Sequence, residues 1–215
     1  YGALVRKYYP AVKVVAVWNE HHFGHAAASF YGSGFETAAA IIVDGCGSRQ
    51  SIEIDDEGNK VEAYETETIF KCSGTKIEHI FKRHADNQCP RISSPQEEID
   101  STVTTVKAYE AVSKYLGFSF IEAGKTMGLF PYGKPRNDLN LFREDSMWPL
   151  SDRQMIIPTY PNGAHVNYNL FEYLATHDNE DVSKLDNRRD MAFAVQTQSQ
   201  DQVVKLIRRA VEMTG

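Results

Sequence analysis

Two periods of apolar residues run along the chain, and they predict strands in one stretch and helices on either side of it. The uninterrupted apolar run 38–43 is typical of a buried strand, and β-branched residues at 13–18 indicate another. Further strands are predicted at 50–54 and 61–66, joined by the turn-forming sequence 55–59. We expect 38–43, 50–54 and 61–66 to form a three-stranded meander.

A helical period of about 3.6 residues recurs in four segments. In the second of them Asn19 is placed to cap the helix, and Gly32 and Gly34 are expected to end it. The third begins with the hydroxyl, proline and acidic residues that follow Ile92, and Gly117 is expected to end it. The four predicted helices cover 1–10, 19–34, 93–116 and 188–213.

The order of these elements predicts an α/β fold in which a mixed β-sheet is flanked by helices. The chain has 215 residues, 42% of them hydrophobic, which is enough for one large domain or for one domain and a fragment. Residues 69–92 follow no clear period and contain a turn at 72–75. Residues 135–187 are predicted to be a long irregular connection with a short strand at 164–169.

Composition and charge exclude several classes of function. The formal net charge is −6 and the sequence pI is about 5.7, with no basic stripe, so binding to nucleic acid is not expected. The sequence lacks an apolar run of about 18 residues and a signal peptide, so no membrane crossing is predicted. Cys46, Cys72 and Cys89 form no Cys-x-x-Cys pair, which argues against disulfides and thiolate zinc and favours a reducing, cytoplasmic location.

The second predicted helix contains the strongest candidates for metal-binding residues. His21 and His25 are four residues apart, so they point from the same helix face and can bind one cation. Asp44 follows a buried strand, at the sheet edge where α/β proteins expose ligand-binding groups, and is a candidate third ligand. Two alternatives remain open at this level. His22 and His25 also share a face at i,i+3, and these histidines can be ordinary structural residues.

A glycine turn after Asp44 has the ingredients of a phosphate-binding loop. Gly45 and Gly47 let backbone N–H groups approach an oxyanion, and Ser48 adds a hydroxyl donor. The alternative is a tight hairpin with glycine at positive φ. The residues alone do not separate these two interpretations.

A second glycine-rich segment, 120–134, also combines flexible backbone with charge. Lys125 can contact a phosphate, and Glu122 can accept hydrogen bonds from ribose hydroxyls. The segment is not a Walker A loop, because it lacks the four-residue gap between glycine and Gly-Lys. A glycine-rich connector with solvated charges is the alternative.

Three motifs occur in order along the chain: His21-His-Phe-Gly-His-Ala-Ala-Ala-Ser-Phe-Tyr, Asp44-Gly-Cys-Gly and Gly124-Lys-Thr-Met-Gly-Leu-Phe-Pro-Tyr-Gly. With the last helix, they resemble the NodU/CmcH family of O-carbamoyltransferases over nearly the whole chain. The resemblance implies a fold of the actin, Hsp70 and sugar-kinase (ASKHA) superfamily, built on RNase H-like halves. Residues 1–215 are then an internal part of the N-terminal carbamoyltransferase domain, a Kae-type metal-binding domain. Its opening strands, its C-terminal part and a YrdC-like domain lie outside the sequence.

The resemblance also implies a reaction and its cofactors. Carbamoyl phosphate and ATP give carbamoyl adenylate on the YrdC-like domain, and the carbamoyl group passes to a hydroxyl of a sugar, antibiotic or other small molecule. His21, His25 and Asp44 are implied to bind a divalent metal, with a fourth aspartate ligand beyond residue 215. Iron is expected, and the ligand set also suits zinc or manganese. We expect the isolated fragment to be inactive.

The resemblance implies that the glycine turn contacts the phosphate, and it places further residues near the nucleotide: Glu122, Lys125, Gly128 and Gly133. Two other functions remain as alternatives. One is a tRNA threonylcarbamoyl transferase, which the lack of basic patches disfavours. The other is a non-catalytic ATP-binding module of the same superfamily, in which the histidines only pack.

Overall fold

The strands follow one another between two groups of helices in the computed structural model, which describes residues 2–13, 19–85, 92–100, 104–136, 141 and 185–215. Within these ranges the helices are α1 (Gly2–Tyr8), α2 (His21–Ser33), α3 (Thr105–Tyr115), α4 (Ala123–Leu129) and α5 (Leu185–Thr214). The strands are β1 (Thr37–Val43), β2 (Arg49–Glu53), β3 (Lys60–Ser73), β4 (Lys76–Ala85), β5 (Ile92–Ser93) and β6 (Glu97–Asp100).

The sheet is organised around β3, which is 14 residues long. The strand order is β1-β3-β4-β6-β5, and β2 also pairs with β3. Strand β6 runs parallel to β4, whereas the other pairs are antiparallel. The fold is therefore α/β, with a mixed sheet flanked by helices, which confirms that prediction.

The predicted three-stranded meander is wrong, because β1 and β2 both pair with β3. Strand β1 lies opposite the second half of β3, from Thr37↔Ser73 to Val43↔Glu67, and β2 lies opposite the first half. The two strands therefore run end to end along one edge of β3. The predicted strand 61–66 was too short to show that one long strand offers hydrogen bonds to both.

Segment 44–48 joins β1 to β2 as a bend along the edge of β3. The Asp44 N–H donates to the Thr66 carbonyl at 2.8 Å, and the Gly47 N–H donates to the Glu65 carbonyl at 2.7 Å. Neither Gly45 nor Gly47 has a positive φ, so the hairpin with left-handed glycine is also wrong. The hairpin predicted at 55–59 is confirmed between β2 and β3.

Helix α2 packs against the sheet through Ala26 and Phe30, which contact a core formed with β1 and β3. It ends at Gly34, whose φ of 76° is the left-handed cap expected of a glycine. The predicted Asn19 cap is wrong, because Asn19 precedes the cap position and has a φ of 62°. Instead, the His21 N–H donates to the Ser48 hydroxyl at 3.0 Å, so a distant residue satisfies the helix start.

The helix predicted at 93–116 begins later than expected. Its first part forms β5 and β6, and the hydroxyl of Ser94 accepts the Glu97 N–H in the turn between them. Burial of Ile99 and parallel pairing with β4 outweigh the local helix-start pattern. The helical end is confirmed, since α3 stops before Gly117, whose φ is 83°.

Helix α5 holds the layers together over 30 residues. Its first half packs on α3 through Met191 and Val195, and its second half packs on β3 and β4 through Leu206 and Ala210. The predicted helices 1–10 and 188–213 are therefore confirmed as α1 and α5. None of the helices that the structure describes has the length and hydropathy to cross a membrane. Residues 14–18 and 164–169, both predicted as strands, lie outside the described residues.

Candidate metal centre

Three side chains from α2 and the end of β1 converge on one point. His21 Nε2 lies 2.7 Å from Asp44 Oδ2 and 2.9 Å from His25 Nε2. His25 Nε2 lies 3.9 Å from the same Asp44 oxygen. One potential ligand atom from each residue lies within 4.8 Å of the other two. The three predicted metal ligands are thus brought together.

Local structure and strand pairing each explain part of this convergence. His21 and His25 occupy one face of α2 because they are separated by one helical turn. Asp44 follows the last residue of β1, where its N–H still bonds to β3. His22 points the opposite way and is fully buried, so the alternative pair of His22 and His25 does not form at the surface. Burial also lowers the pKa of His22 to about 4, so its ring is neutral at pH 7.

The geometry suits a first-row divalent metal. Bonds of about 2.0–2.2 Å in a tetrahedral site place neighbouring ligand atoms about 3.3–3.6 Å apart, and the observed separations of 2.7, 2.9 and 3.9 Å bracket this range. Two imidazoles and one carboxylate suit iron, zinc or manganese. The His21 and His25 side chains are about half exposed, so an ion and a substrate could reach them from solvent.

The surroundings of Asp44 favour the ionised form of its carboxyl. Burial alone would raise the pKa of this carboxyl, but the hydrogen bond from the Gly45 N–H and the nearby His21 ring keep the pKa below its usual value. The Gly45 N–H donates to Asp44 Oδ1 at 2.6 Å, which leaves Oδ2 turned toward the histidines. A carboxylate fixed in this way is a suitable metal ligand.

The predicted phosphate-binding turn lies beside these ligands, and its groups are engaged within the protein. The Gly45 N–H bonds to Asp44, and the Gly47 N–H bonds to the Glu65 carbonyl. The Ser48 hydroxyl accepts the His21 N–H, and the Ser48 N–H donates to Glu65 Oε2 at 3.1 Å. Phosphate binding by these N–H groups would require them to leave their present acceptors.

The second predicted nucleotide segment forms α4 and its flanking turns. Glu122 and Lys125 pair with each other at 2.6 Å on the surface, and Glu122 also accepts the Ser119 N–H. Gly128 is exposed. Gly133 packs so closely on the Arg189 carbonyl of α5 that no Cβ would fit. Within the described structure these residues therefore point to solvent or to packing, and do not contact the three metal ligands.

A cavity of about 740 Å³ lies between the end of β1 and helices α3, α4 and α5. One wall includes Val43, which directly precedes Asp44, and another includes Ala123 and Met127 of α4. Helices α3 and α5 supply the remaining walls, which are largely apolar with glutamine and serine at the rim. A mostly apolar cavity of this size with a few polar groups is typical of a small-molecule site.

Glu110 of α3 is absent from the predicted site but lines this cavity, and Lys107 of the same helix pairs with it. Lys107 Nζ donates to Glu110 Oε2 at 2.8 Å, and the lysine side chain is only 3% exposed. A Cβ placed on Gly45 would lie 3.1 Å from Glu110 Oε1 and 3.2 Å from Lys107 Nζ. Lysine and glutamate three residues apart are common on helices, so the sequence contains no signal that would identify these two as site residues.

Comparison with known proteins gives the family of the chain. Over 122 residues the chain is 28% identical to the uncharacterized protein sll1178 of Synechocystis sp.. The match covers 56% of this chain and 15% of that protein, so the chain spans a small part of the curated relative it matches. The family model described as the carbamoyltransferase N-terminus matches residues 5–214. Because that match covers nearly the whole chain, the chain belongs to the carbamoyltransferase N-terminus family.

Proposed function

We propose that the protein is an O-carbamoyltransferase with a divalent metal bound by His21, His25 and Asp44. The observation that carries this proposal is the convergence of three ligand atoms within 4.8 Å beside a cavity of about 740 Å³. Family membership supports carbamoyl transfer as the reaction class. The motifs resemble those of the NodU/CmcH subgroup, and this resemblance suggests iron as the ion, with zinc and manganese as alternatives.

When bound, the ion would supply Lewis-acid polarisation of a carbonyl or phosphoryl oxygen. His21 and His25 would hold it from α2, and Asp44 would hold it from β1. A fourth aspartate ligand would come from beyond residue 215. Three ligands from this chain leave room for both that residue and a substrate oxygen.

The donor in this proposal is carbamoyl adenylate, made from carbamoyl phosphate and ATP on a YrdC-like domain of the full-length protein. Its nucleotide would occupy this cavity, because Val43 in its wall directly precedes Asp44 and the glycine turn, and Ala123 and Met127 belong to the second predicted nucleotide segment. Lys107 is buried beside Gly45, where its ammonium group would offset phosphate charge. Glu122 and Lys125 would contact the nucleotide only by leaving their mutual ion pair.

Transfer forms a bond between the acceptor hydroxyl oxygen and the carbamoyl carbon, while the bond from that carbon to the phosphate oxygen breaks and AMP leaves. The hydroxyl proton needs an acceptor. Glu110 lines the cavity, and its Oε1 receives no hydrogen bond from the described residues. Burial raises the pKa of Glu110 despite the neighbouring Lys107, which suits a carboxylate that accepts a proton.

We further propose that the fold belongs to the ASKHA superfamily and that this chain forms part of a two-lobed domain. The remaining half of the cleft would come from the opening strands and the C-terminal part of the domain. The 215-residue chain alone would then bind metal poorly and would not turn over. The acceptor class, a hydroxylated sugar, antibiotic or similar small molecule, rests on the family resemblance.

The test uses full-length protein, its bound metal measured by elemental analysis and its products by mass spectrometry. With carbamoyl phosphate, ATP and a panel of hydroxylated acceptors, a mass increase of one carbamoyl group on an acceptor is expected, together with AMP. Substitution Asp44→Asn should remove both bound metal and product. Transfer of a threonylcarbamoyl group to tRNA instead, or full activity in metal-free protein, would contradict the proposal.

A further inference from the structure

His22 differs from the two histidines beside it on α2, because its ring faces the protein interior. The side chain has no exposed surface, and Nδ1 lies 2.7 Å from the hydroxyl of Thr68 on β3. Thr68 is itself fully buried. A hydrogen bond between two buried polar side chains is costly to break, because it leaves an unsatisfied group behind. This bond therefore fixes the first turn of α2 against β3.

The His22 ring also contacts the turn that follows Asp44. A Cβ placed on Gly47 would lie 2.7 Å from His22 Nε2 and 2.8 Å from its Cδ2, distances that a real Cβ does not adopt. Glycine is therefore the residue that lets the turn lie directly on the ring. His22 Nε2 has no hydrogen-bond partner among the described residues, so on this side the contact is one of shape.

Both elements that carry the metal ligands are thus attached to the same part of β3. Strand β1 is held by the bond from the Asp44 N–H to the Thr66 carbonyl. Helix α2 is held by the His22 bond to Thr68, two residues further along β3. The bond from the His21 N–H to the Ser48 hydroxyl adds a third connection, between the helix start and the turn. The separation of α2 from Asp44 depends on these contacts.

We propose that His22 is a positioning residue for the metal centre: its ring, fixed by Thr68 and covered by Gly47, sets the distance between the histidine pair and Asp44. His22 does not bind the ion. The inference rests on the proposed metal centre, and it explains why His22 is buried between His21 and His25 and why position 47 is a glycine. Partners outside the ligand set commonly contribute 10–100-fold to metal affinity.

The test measures Co²⁺ binding to metal-free full-length protein by visible absorption, with apo-protein unfolding followed separately by circular dichroism. His22→Ala should weaken Co²⁺ binding by about 10–100-fold and change the absorption bands of the bound ion. Thr68→Val keeps the side-chain volume but removes the bond to Nδ1, so it should have a similar effect. Thr68→Ser retains the hydroxyl and should bind like the wild type. His79→Ala, which removes an exposed histidine on β4, is the matched control.

A pair of compensating changes tests the contact with the turn. Gly47→Ala should weaken Co²⁺ binding because its Cβ would meet the His22 ring and the Glu65 Cβ. In the His22→Ala background only the contact with Glu65 remains, so Gly47→Ala should weaken binding less there than it does in the wild type. If His22→Ala does not fold, the Co²⁺ affinity and spectrum of Thr68→Val provide the test instead. Unchanged Co²⁺ affinity and spectrum in folded His22→Ala or Thr68→Val would overturn the positioning role, even where apo stability falls. Failure of the wild type to bind Co²⁺ would overturn the metal centre and this inference with it.

Discussion

His21 Nε2 and Asp44 Oδ2 lie 2.7 Å apart, although 23 residues separate them in the sequence. Helix α2 carries the histidine, and the end of β1 carries the aspartate. Both elements are attached to β3, so the contact is a product of sheet pairing rather than of local chain geometry. His25, one helical turn from His21, joins them to complete the cluster of three candidate ligands.

Removal of any one ligand should empty the metal centre. His21→Ala, His25→Ala and Asp44→Ala each remove one of three ligands, so the loss of affinity should exceed the 10–100-fold typical of an outer partner. Bound metal in purified full-length protein, measured by elemental analysis, should fall accordingly. His79→Ala should retain the wild-type content, because His79 is exposed on β4 and is not part of the ligand cluster. Full metal content in His25→Ala would show that the cluster is structural.

Filling the cavity should block nucleotide binding without affecting the metal. Val203→Phe places a ring in the wall that α5 contributes, and nucleotide affinity should fall, because the ring takes space that the nucleotide would occupy. Calorimetric titration with ATP measures the effect. Val211→Phe is the matched control, because Val211 is 62% exposed on the same helix and does not line the cavity. Equal affinity in both variants would place the nucleotide elsewhere.

Disruption of the buried ion network should destabilise the fold. Arg83 pairs with Glu67, which is 1% exposed, and with Glu98, while Arg209 of α5 also contacts Glu98. Arg83→Met removes a shared partner and leaves buried carboxylates, so the free energy of unfolding should fall by about 3–5 kcal/mol in urea denaturation. Lys76→Met breaks an exposed pair and should have little effect. A small loss of unfolding free energy in Arg83→Met would mean that the Thr105 hydroxyl on Glu67 and the Arg209 guanidinium on Glu98 are enough to stabilise these carboxylates.

Stability should fall in mild acid because of His84. Burial lowers the pKa of this histidine to about 3, whereas its ordinary value is 6.5. Above pH 6.5 the ring is neutral in both states. Between pH 6.5 and 3 the unfolded chain binds a proton that the folded chain excludes, so the free energy of unfolding falls by up to about 1.4 kcal/mol per pH unit.

His84→Gln should reduce this dependence and leave the part that His22 contributes, because glutamine does not titrate and its amide can replace the bond from Nε2 to Gln50. Urea denaturation at a series of pH values between 7 and 4 measures the slope. His79→Gln changes an exposed histidine on the same strand and should keep the wild-type slope. Identical slopes in the wild type and His84→Gln would contradict a buried neutral ring.

Several local features could be predicted from sequence because short-range physics governs them. The i,i+4 spacing put His21 and His25 on one helix face, and glycine at 34 and 117 ended two helices in the left-handed conformation. The predicted start of the 93–116 helix was wrong because long-range pairing governs that segment. There a local start signal competed with pairing to β4, and the buried strand prevailed.

The histidine helix, the strand before Asp44 and the family can all be predicted from sequence, because they depend on periodicity and on motifs within short windows. Other features are visible only in the folded chain: His22 is buried on Thr68, β1 and β2 share one edge of β3, and Lys107 and Glu110 lie beside Gly45. Each of these depends on which distant segments pair, and side-chain packing between distant segments leaves no periodic signal in the sequence.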